Sequence, residues 1–399
     1  MVYAPTANGY STLASISGIN QTNLGILKQY LGTASTAISA STCCGGAYPL
    51  VGPGNASLGA QDSATAKSVE LGQISITAPS YANYEAGLAS FDYNISDKDN
   101  LRSRFVLNRS GFIDTAASLP AFYLTVPSNN YLVTFSEYHT FHPTLVNEFR
   151  AGYNRYSNNY PAGNFSFPGL DQFPNLTLYE LGGVNIGPDP NAPQFGIQNT
   201  YQLTDNVSWT RGNHSFKFGV DGWKSISPQS FVQRARGDYE WSYLSDYLFD
   251  YYPDYIAQRS LGSSPYYGDQ IMMGFYGNDS WKIRPNVTVN LGLRYEYETV
   301  PYTERLQTLN AISNVPGLIT FGEPQPMKNA LMPRVGIAYS PGKSGNTSIR
   351  AGFGINYDVL YDNQGLLTLP PQFNTTVDVT GLNQGGFLAG GGIPPSSPL

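Results

Sequence analysis

Three histidines, two cysteines and a run of tyrosines interleaved with aspartates are the residues of this 399-residue chain whose types could support chemistry. His139, His142 and His214 show no HExxH spacing, and the adjacent Cys43 and Cys44 offer no chelating pair, so no metal site is expected. Turn and strand-end positions account for the histidines. Neighbouring cysteines cannot staple distant segments, and two inert loop thiols are expected ahead of a vicinal disulfide. Asp97-Lys98-Asp99-Asn100 opens like a calcium loop but lacks the following glycine and the distant glutamate, so it reads as a solvated hairpin turn. Gly352-x-Gly354 lies in an alternating stretch and not at a helix start, which excludes a nucleotide loop. No local pattern joins a nucleophile to a base and an orienting group, and no carboxylate pair stands out. No catalytic residue, no cofactor and no enzymatic activity are therefore expected.

Ligand contact is the one chemistry with a candidate cluster. Tyr247, Tyr251, Tyr252 and Tyr255, with Asp246, Asp250 and Asp254, could stack on sugars or hold a chelate-type ligand. The competing reading is internal packing of a loop helix. Within Ser245–Arg259, Leu248, Tyr252 and Tyr255 share a helical face, which predicts a short helix there.

The elements that position these residues follow from composition and period. Lys plus Arg number 22 against 28 Asp plus Glu, a net charge of −6, and only 13% of residues are charged. No basic block exists, so nucleic acid is excluded as a partner. Aromatics reach 14%, with 30 tyrosines, enough apolar area to argue against disorder. Gly (42), Pro (28) and abundant Tyr, Thr and Asn disfavour a helical fold, and no run approaches 18 apolar residues.

Strict two-residue alternation is the clearest signal. In VTVNLGLRYEYE, Val287, Val289, Leu291, Leu293, Tyr295 and Tyr297 fall on one face while Thr288, Asn290, Gly292, Arg294, Glu296 and Glu298 fall on the other. TSIRAGFGINYD splits the same way. Such strands of about 10–12 residues exceed the usual globular strand and match a tilted path across a bilayer. They pair into five hairpins, turning at Ser96–Asn100, His142–Thr144, Thr210–Asn213, Arg284–Asn286 and Pro341–Asn346. The connections between hairpins, residues 109–130, 154–198, 226–265 and 299–331, are long. Short turns on one rim and long loops on the other are the asymmetry of outer-membrane barrels. The expected fold is thus all-β: an antiparallel up-and-down transmembrane β-barrel, here a partial barrel of about ten or more long strands. Its polar face would look into the lumen, placing Arg294, Glu296, Arg334 and Arg350 there. Its Val, Leu, Ile, Phe and Tyr face would meet lipid, with Trp209, Trp281, Tyr297, Tyr339 and Tyr357 towards strand ends.

The segment Gly277–Pro301 carries Asp279, Trp281 and Lys282, a turn at Pro285, and then Leu291, Gly292, Arg294, Tyr295 and Glu296. Pro333, Arg334 and Gly336 follow, then Ile349, Arg350, Gly352 and Gly354. This succession resembles the barrel of TonB-dependent outer-membrane receptors, most closely the Oar-like branch. Asp205–Asp221, Phe91–Phe105 and Phe141–Arg155 resemble further hairpins of the same barrels, so the resemblance spans roughly residues 85–380. The family implies a 22-stranded barrel filled by an N-terminal plug and driven by TonB through a short N-terminal box. No plug, TonB box, signal peptide or terminal aromatic strand is recognisable here, and about ten strands cannot close such a barrel. The expectation is an internal fragment lacking the plug.

Residues 1–80 are expected to form a loop-rich N-terminal part of the barrel with a helical piece near Thr22–Tyr30. Residues 81–380 carry the hairpins and extracellular loops, and 381–399 a truncated Gly/Pro-rich loop. The expected function is part of a TonB-dependent receptor and transporter in the bacterial cell outer membrane, taking up a bulky nutrient, an oligosaccharide or a metal chelate. Its expected partners are outer-membrane lipid, the receptor's own plug domain, the TonB complex and the extracellular nutrient. The alternative is an exported β-sheet adhesin or carbohydrate-binding protein.

Overall fold

The computed structural model describes residues 1–53, 64–114, 116–261, 265–306, 315–318, 324–342, 346–358, 365–366, 373–376 and 385–392. Ten strands, nine of them at least 12 residues long, form one antiparallel meander. In chain order they are Ala82–Asn94, Asp99–Asp114, Leu124–His142, Leu145–Tyr160, Gln194–Arg211, His214–Ile226, Gln270–Arg284, Val287–Glu298, Met327–Tyr339 and Ile349–Gly354. Each pairs with its neighbours in sequence, and two short strands, Pro228–Phe231 and Tyr266–Tyr267, attach at the long-loop rim. Four hairpins turn where the sequence places them; of the fifth turn, Pro341–Asn346, residues 343–345 lie outside the described residues. Several strands run longer than the alternation marks, reaching 19 residues in Leu124–His142 and 18 in Gln194–Arg211, whereas TSIRAGFGINYD yields only the six-residue Ile349–Gly354. Beyond the apolar band the ladder continues through polar residues, as where Ser128, Asn129 and Asn130 pair with Asn158, Ser157 and Tyr156. Backbone pairing needs no greasy side chain, so apolar periodicity underestimates its length.

Register settles which residues share a face, because directly paired residues point the same way. The row Phe105, Val133, Tyr153, Tyr201, Lys224 and Ile271 crosses six strands, and the row Leu291, Val335 and Phe353 crosses three more. Large apolar side chains of this face are open: Leu203 is 58% exposed, Val335 51%, Phe275 50% and Phe105 43%. Among the described residues no second protein layer covers it. The opposite face carries Arg102, Arg150, Asp221, Arg294, Glu296 and Arg334.

The principal hydrophobic core lies outside the ten strands. Its members come from the N-terminal segment (Leu13, Leu27, Leu71), from the long loops (Phe122, Phe173, Leu178, Trp241, Tyr247) and from Phe387 and Leu388. Helices Ala7–Ala14 and Gln21–Leu31 open on side-chain caps, Thr6 accepting from Gly9 N at 3.1 Å and Asn20 from Thr22 N at 2.9 Å. They pack beside a five-stranded sheet built from loop segments, ordered Val184–Ile186, Asn175–Leu178, Asp238–Trp241, Ile256–Leu261 and Phe373–Thr376. The described residues of the loops before Leu124, Gln194 and Gln270 are therefore structured, and with residues of the N-terminal segment they form a cap.

Two expectations need correction. The helix in Ser245–Arg259 is confined to Leu244–Leu248, because Asp250 adopts a left-handed φ of 57° and Pro253 cannot continue a helix. Tyr252 and Tyr255 thus share no helical face with Leu248, and Ile256–Leu261 is a strand. Cys43 and Cys44 are joined as a disulfide, with Cys43 buried in the cap core. Adjacency forbids long-range stapling but does not prevent the two sulfurs from bonding to each other.

Candidate functional site

The polar face of the sheet and the cap beside the long-loop rim hold the groups able to meet a solute. On the sheet, Arg294 donates from Nη1 and Nη2 to the two oxygens of Asp221 at 2.9 and 3.1 Å, and from Nε to Glu296. The three side chains are only 16–20% exposed. Gly274 makes the arrangement possible: a Cβ there would collide with the Arg294 guanidinium and the Asp221 carboxylate. Gly219 likewise clears space for Tyr276, whose hydroxyl donates to Asn206. Asn206 in turn donates to Glu148 at 3.1 Å, and Glu148 also pairs with Arg150. Arg334 donates to Asn356 at 2.8 Å, and Arg350 to Ser348 at 3.3 Å. The four residues placed on the polar face by sequence do share it, but only Arg294 and Glu296 touch each other. Asp221, Tyr276, Glu148 and Arg150 join them through cross-strand register, which a single sequence does not reveal.

The tyrosine–aspartate cluster is divided by the cap. Tyr247 is fully buried, donates its hydroxyl to the Asn23 carbonyl at 3.0 Å, and accepts from Asn23 Nδ2 at its own carbonyl at 2.7 Å. Asp250 accepts from Leu388 N at 2.8 Å, Ala389 N at 3.1 Å and the amides of Asn23 and Asn20. These two residues join the helix Gln21–Leu31 and the segment Gly385–Gly392 to the loop. Tyr251 stacks on Phe249, and Tyr252 lies 4.8 Å from the Phe387 ring. Asp254 accepts from Ser242 N at 2.6 Å. Tyr255 alone of the four tyrosines stands well out, 58% exposed, with its ring 4.8 Å from that of Tyr179, itself 42% exposed. Tyr179 donates to Glu240 at 2.6 Å. Tyr179 and Glu240 escaped sequence reading because they lie 76 and 15 residues before Tyr255 and carry no motif.

Burial perturbs the acids of the cap. Desolvation pushes the Asp246 carboxyl up to about 8, aided by the charges of Asp254 and Glu180; Asp246 is fully buried and neither of its oxygens has a partner. Glu180 is raised to about 7 by burial against the lowering effect of the Leu244 N–H it accepts, and Asp238 to about 6 by burial. All three belong to loop segments that build the cap.

A groove of about 610 Å³ lies on the apolar face between Phe135, Tyr153, Leu203 and Met273, with Lys224 also lining it. It opens away from the polar network.

A family model described as an outer membrane beta barrel domain matches residues 38–398. No curated protein is similar enough to this chain to count as a match. Among solved structures, the copper transporter OprC aligns at 13% identity and a TM-score of 0.41, over 69% of this chain and 37% of its own. The outer membrane transporter YddB from Escherichia coli aligns at 13% identity and a TM-score of 0.44, over 71% of this chain and 33% of its own. The translocator domain of autotransporter NalP from Neisseria meningitidis aligns at 8% identity and a TM-score of 0.27, over 68% of this chain and 73% of its own. The chain thus spans about a third of the length of the two transporters it aligns with.

Proposed function

The chain belongs to the outer membrane beta barrel domain family and resides in the bacterial cell outer membrane, and from that premise we propose that it forms part of a TonB-dependent receptor importing a bulky nutrient. The observation that carries this reading is the pairing of an open apolar face with a polar face ordered by charge. The first suits contact with lipid, and the second suits a wet lumen or a plug domain seated within it. Arg294, Glu296, Arg334 and Arg350, with Asp221 and Glu148, would line that lumen. The strands Ala82–Asn94 and Ile349–Gly354 each pair on one side only among the described residues. A bilayer leaves no backbone group unpaired, so both edges take further strands of a larger barrel. The cap would stand outside the cell, where Tyr179, Tyr255 and Glu240 offer stacking faces and a carboxylate to an oligosaccharide or a metal chelate.

Uptake by energised cells is the test. Cells producing the complete receptor should accumulate the nutrient, and cells lacking TonB should bind it without accumulating it. Uptake that is indifferent to TonB would overturn the transport reading. The exposed Tyr179–Tyr255 pair also suits an adhesin, for which glycan binding would persist with no uptake in either strain.

A further inference from the structure

Sequence spacing gives the histidines no metal partners, but strand pairing does. Asp99 and His139 are direct cross-strand partners, and Glu137 lies two residues before His139 on the same face. Asp99 Oδ1 is 2.5 Å from His139 Nδ1, and one donor atom from each of Asp99, Glu137 and His139 lies within 4.8 Å of the others. We propose that these three side chains form a site for a divalent transition-metal ion such as Zn²⁺, at the short-turn rim of the sheet.

Three features support a built site. All three residues sit in or at the edge of paired strands, so the register fixes their spacing. Each has a fixing contact or a free donor: Ser96 donates to the second Asp99 oxygen, and the Phe141 ring packs edge-on to the imidazole at 4.3 Å. Glu137 stands on the apolar face, opposite Leu101 and Phe149 in the two neighbouring strands, on the same side of the sheet as Asp99 and His139. A divalent ion neutralises both carboxylates at once. One imidazole with two carboxylates is a donor set that Zn²⁺ accepts, leaving a fourth position for water.

The same face holds an internal control. His214 Nδ1 pairs with Asp279 at 2.7 Å and its ring stacks with those of Phe216 and Trp281. Among the described residues no third metal-ligating side chain joins that pair. The second carboxylate is what separates an ion pair from a chelating set. Loading requires the Asp99–His139 contact to open by about 1 Å, since two donors each about 2.1 Å from a tetrahedral ion stand about 3.4 Å apart. Lys98, exposed in the adjoining turn, opposes the cation and sets a limit on affinity.

The test uses the full chain without a histidine tag in detergent micelles, titrated with Co²⁺ in the visible range and with Zn²⁺ by calorimetry. The expected result is one saturable site per chain, with affinity lowered at least tenfold in Glu137→Gln and in His139→Ala, and unchanged in His214→Ala. Glu137→Gln keeps size and shape, so it carries the test even where His139→Ala fails to fold. No saturation up to about 1 mM metal, or binding that survives both substitutions, overturns the proposal.

Discussion

Replacing Asp246 by Asn should stabilise the cap, by an amount that depends on pH in a defined way. Asp246 is fully buried, and neither oxygen has a partner. Folding raises its carboxyl from 3.8 to about 8. Between these values the folded cap holds a proton that the unfolded chain has lost. Stability is complete below about pH 3.8 and falls as pH rises to about 8, at ~1.4 kcal/mol per pH unit, so the loss reaches ~4 kcal/mol at pH 7. Asn escapes this loss but brings a buried NH₂ in need of an acceptor, at ~1–2 kcal/mol. The net gain is therefore ~2–3 kcal/mol at pH 7, vanishing or reversing at pH 4. Glu180 and Asp238, raised to about 7 and about 6, add slopes of the same sign that end once the pH has risen through those values. The interval from pH 7 to 8 therefore belongs mainly to Asp246. Trp241 is buried in the cap core 5.3 Å from Tyr247, and its fluorescence reports cap unfolding in urea once Trp209, Trp223 and Trp281 are replaced by Phe. A cap whose stability has the same slope between pH 7 and 8 with Asp or Asn at position 246 would refute the reasoning.

Other outcomes follow from the sheet and the loops. Arg294→Ala leaves Asp221 and Glu296 facing each other without their shared cation. It should cost about 2 kcal/mol, read as a lower temperature at which the folded band disappears on unboiled gels, with Arg294→Lys rescuing only part. Leu203→Arg puts a charge on the open apolar face at ~2–4 kcal/mol and should cut accumulation in the outer membrane, while Asn290→Arg on the polar face should not; equal losses would contradict the face assignment. Cys43 and Cys44 should resist alkylation in the unreduced, denatured protein and take up two labels after reduction; labelling without reductant would disprove the disulfide.

The hairpins were legible because each strand obeys one short-range rule, alternation with period two, and each turn carries Pro, Gly, Asn or Asp at the required place. Leu291, Leu293, Val335 and Phe353 announce their common face in sequence, and the register puts them together. The cap obeys no such rule. Asn23 meets Tyr247 across 224 residues and Asp250 meets Leu388 across 138. Neither partner carries a periodic signal. The Asp246–Tyr255 run reads as one cluster because it is contiguous, yet Pro253 and the left-handed Asp250 turn it into pieces with separate surroundings. The metal-ligating trio was hidden for a related reason. Asp99 and His139 are 40 residues apart and become neighbours only when two strands choose their register.

The location of the core bears on the order in which this molecule can be assembled. Leu13, Phe122, Phe173, Trp241 and Phe387 belong to five stretches separated by strands of the sheet, yet they share one cluster. The cap therefore cannot gather its core until the hairpins that carry its loops lie side by side, because each earlier contact would close a loop of many tens of residues for little buried area. The sheet has no matching dependence, since every long strand pairs with a neighbour reached through a short turn or one loop. Insertion of the hairpins should come first, and Trp241 should reach its buried environment only afterwards. A substitution on the apolar face such as Leu203→Arg would then delay cap formation although it touches no cap residue, whereas Asp246→Asn would leave the insertion rate unchanged. Time-resolved fluorescence of Trp241, followed alongside acquisition of strand signal during refolding into micelles, separates the two steps. Simultaneous appearance of both signals would mean that the cap organises the strands, the reverse of what the distribution of its core implies.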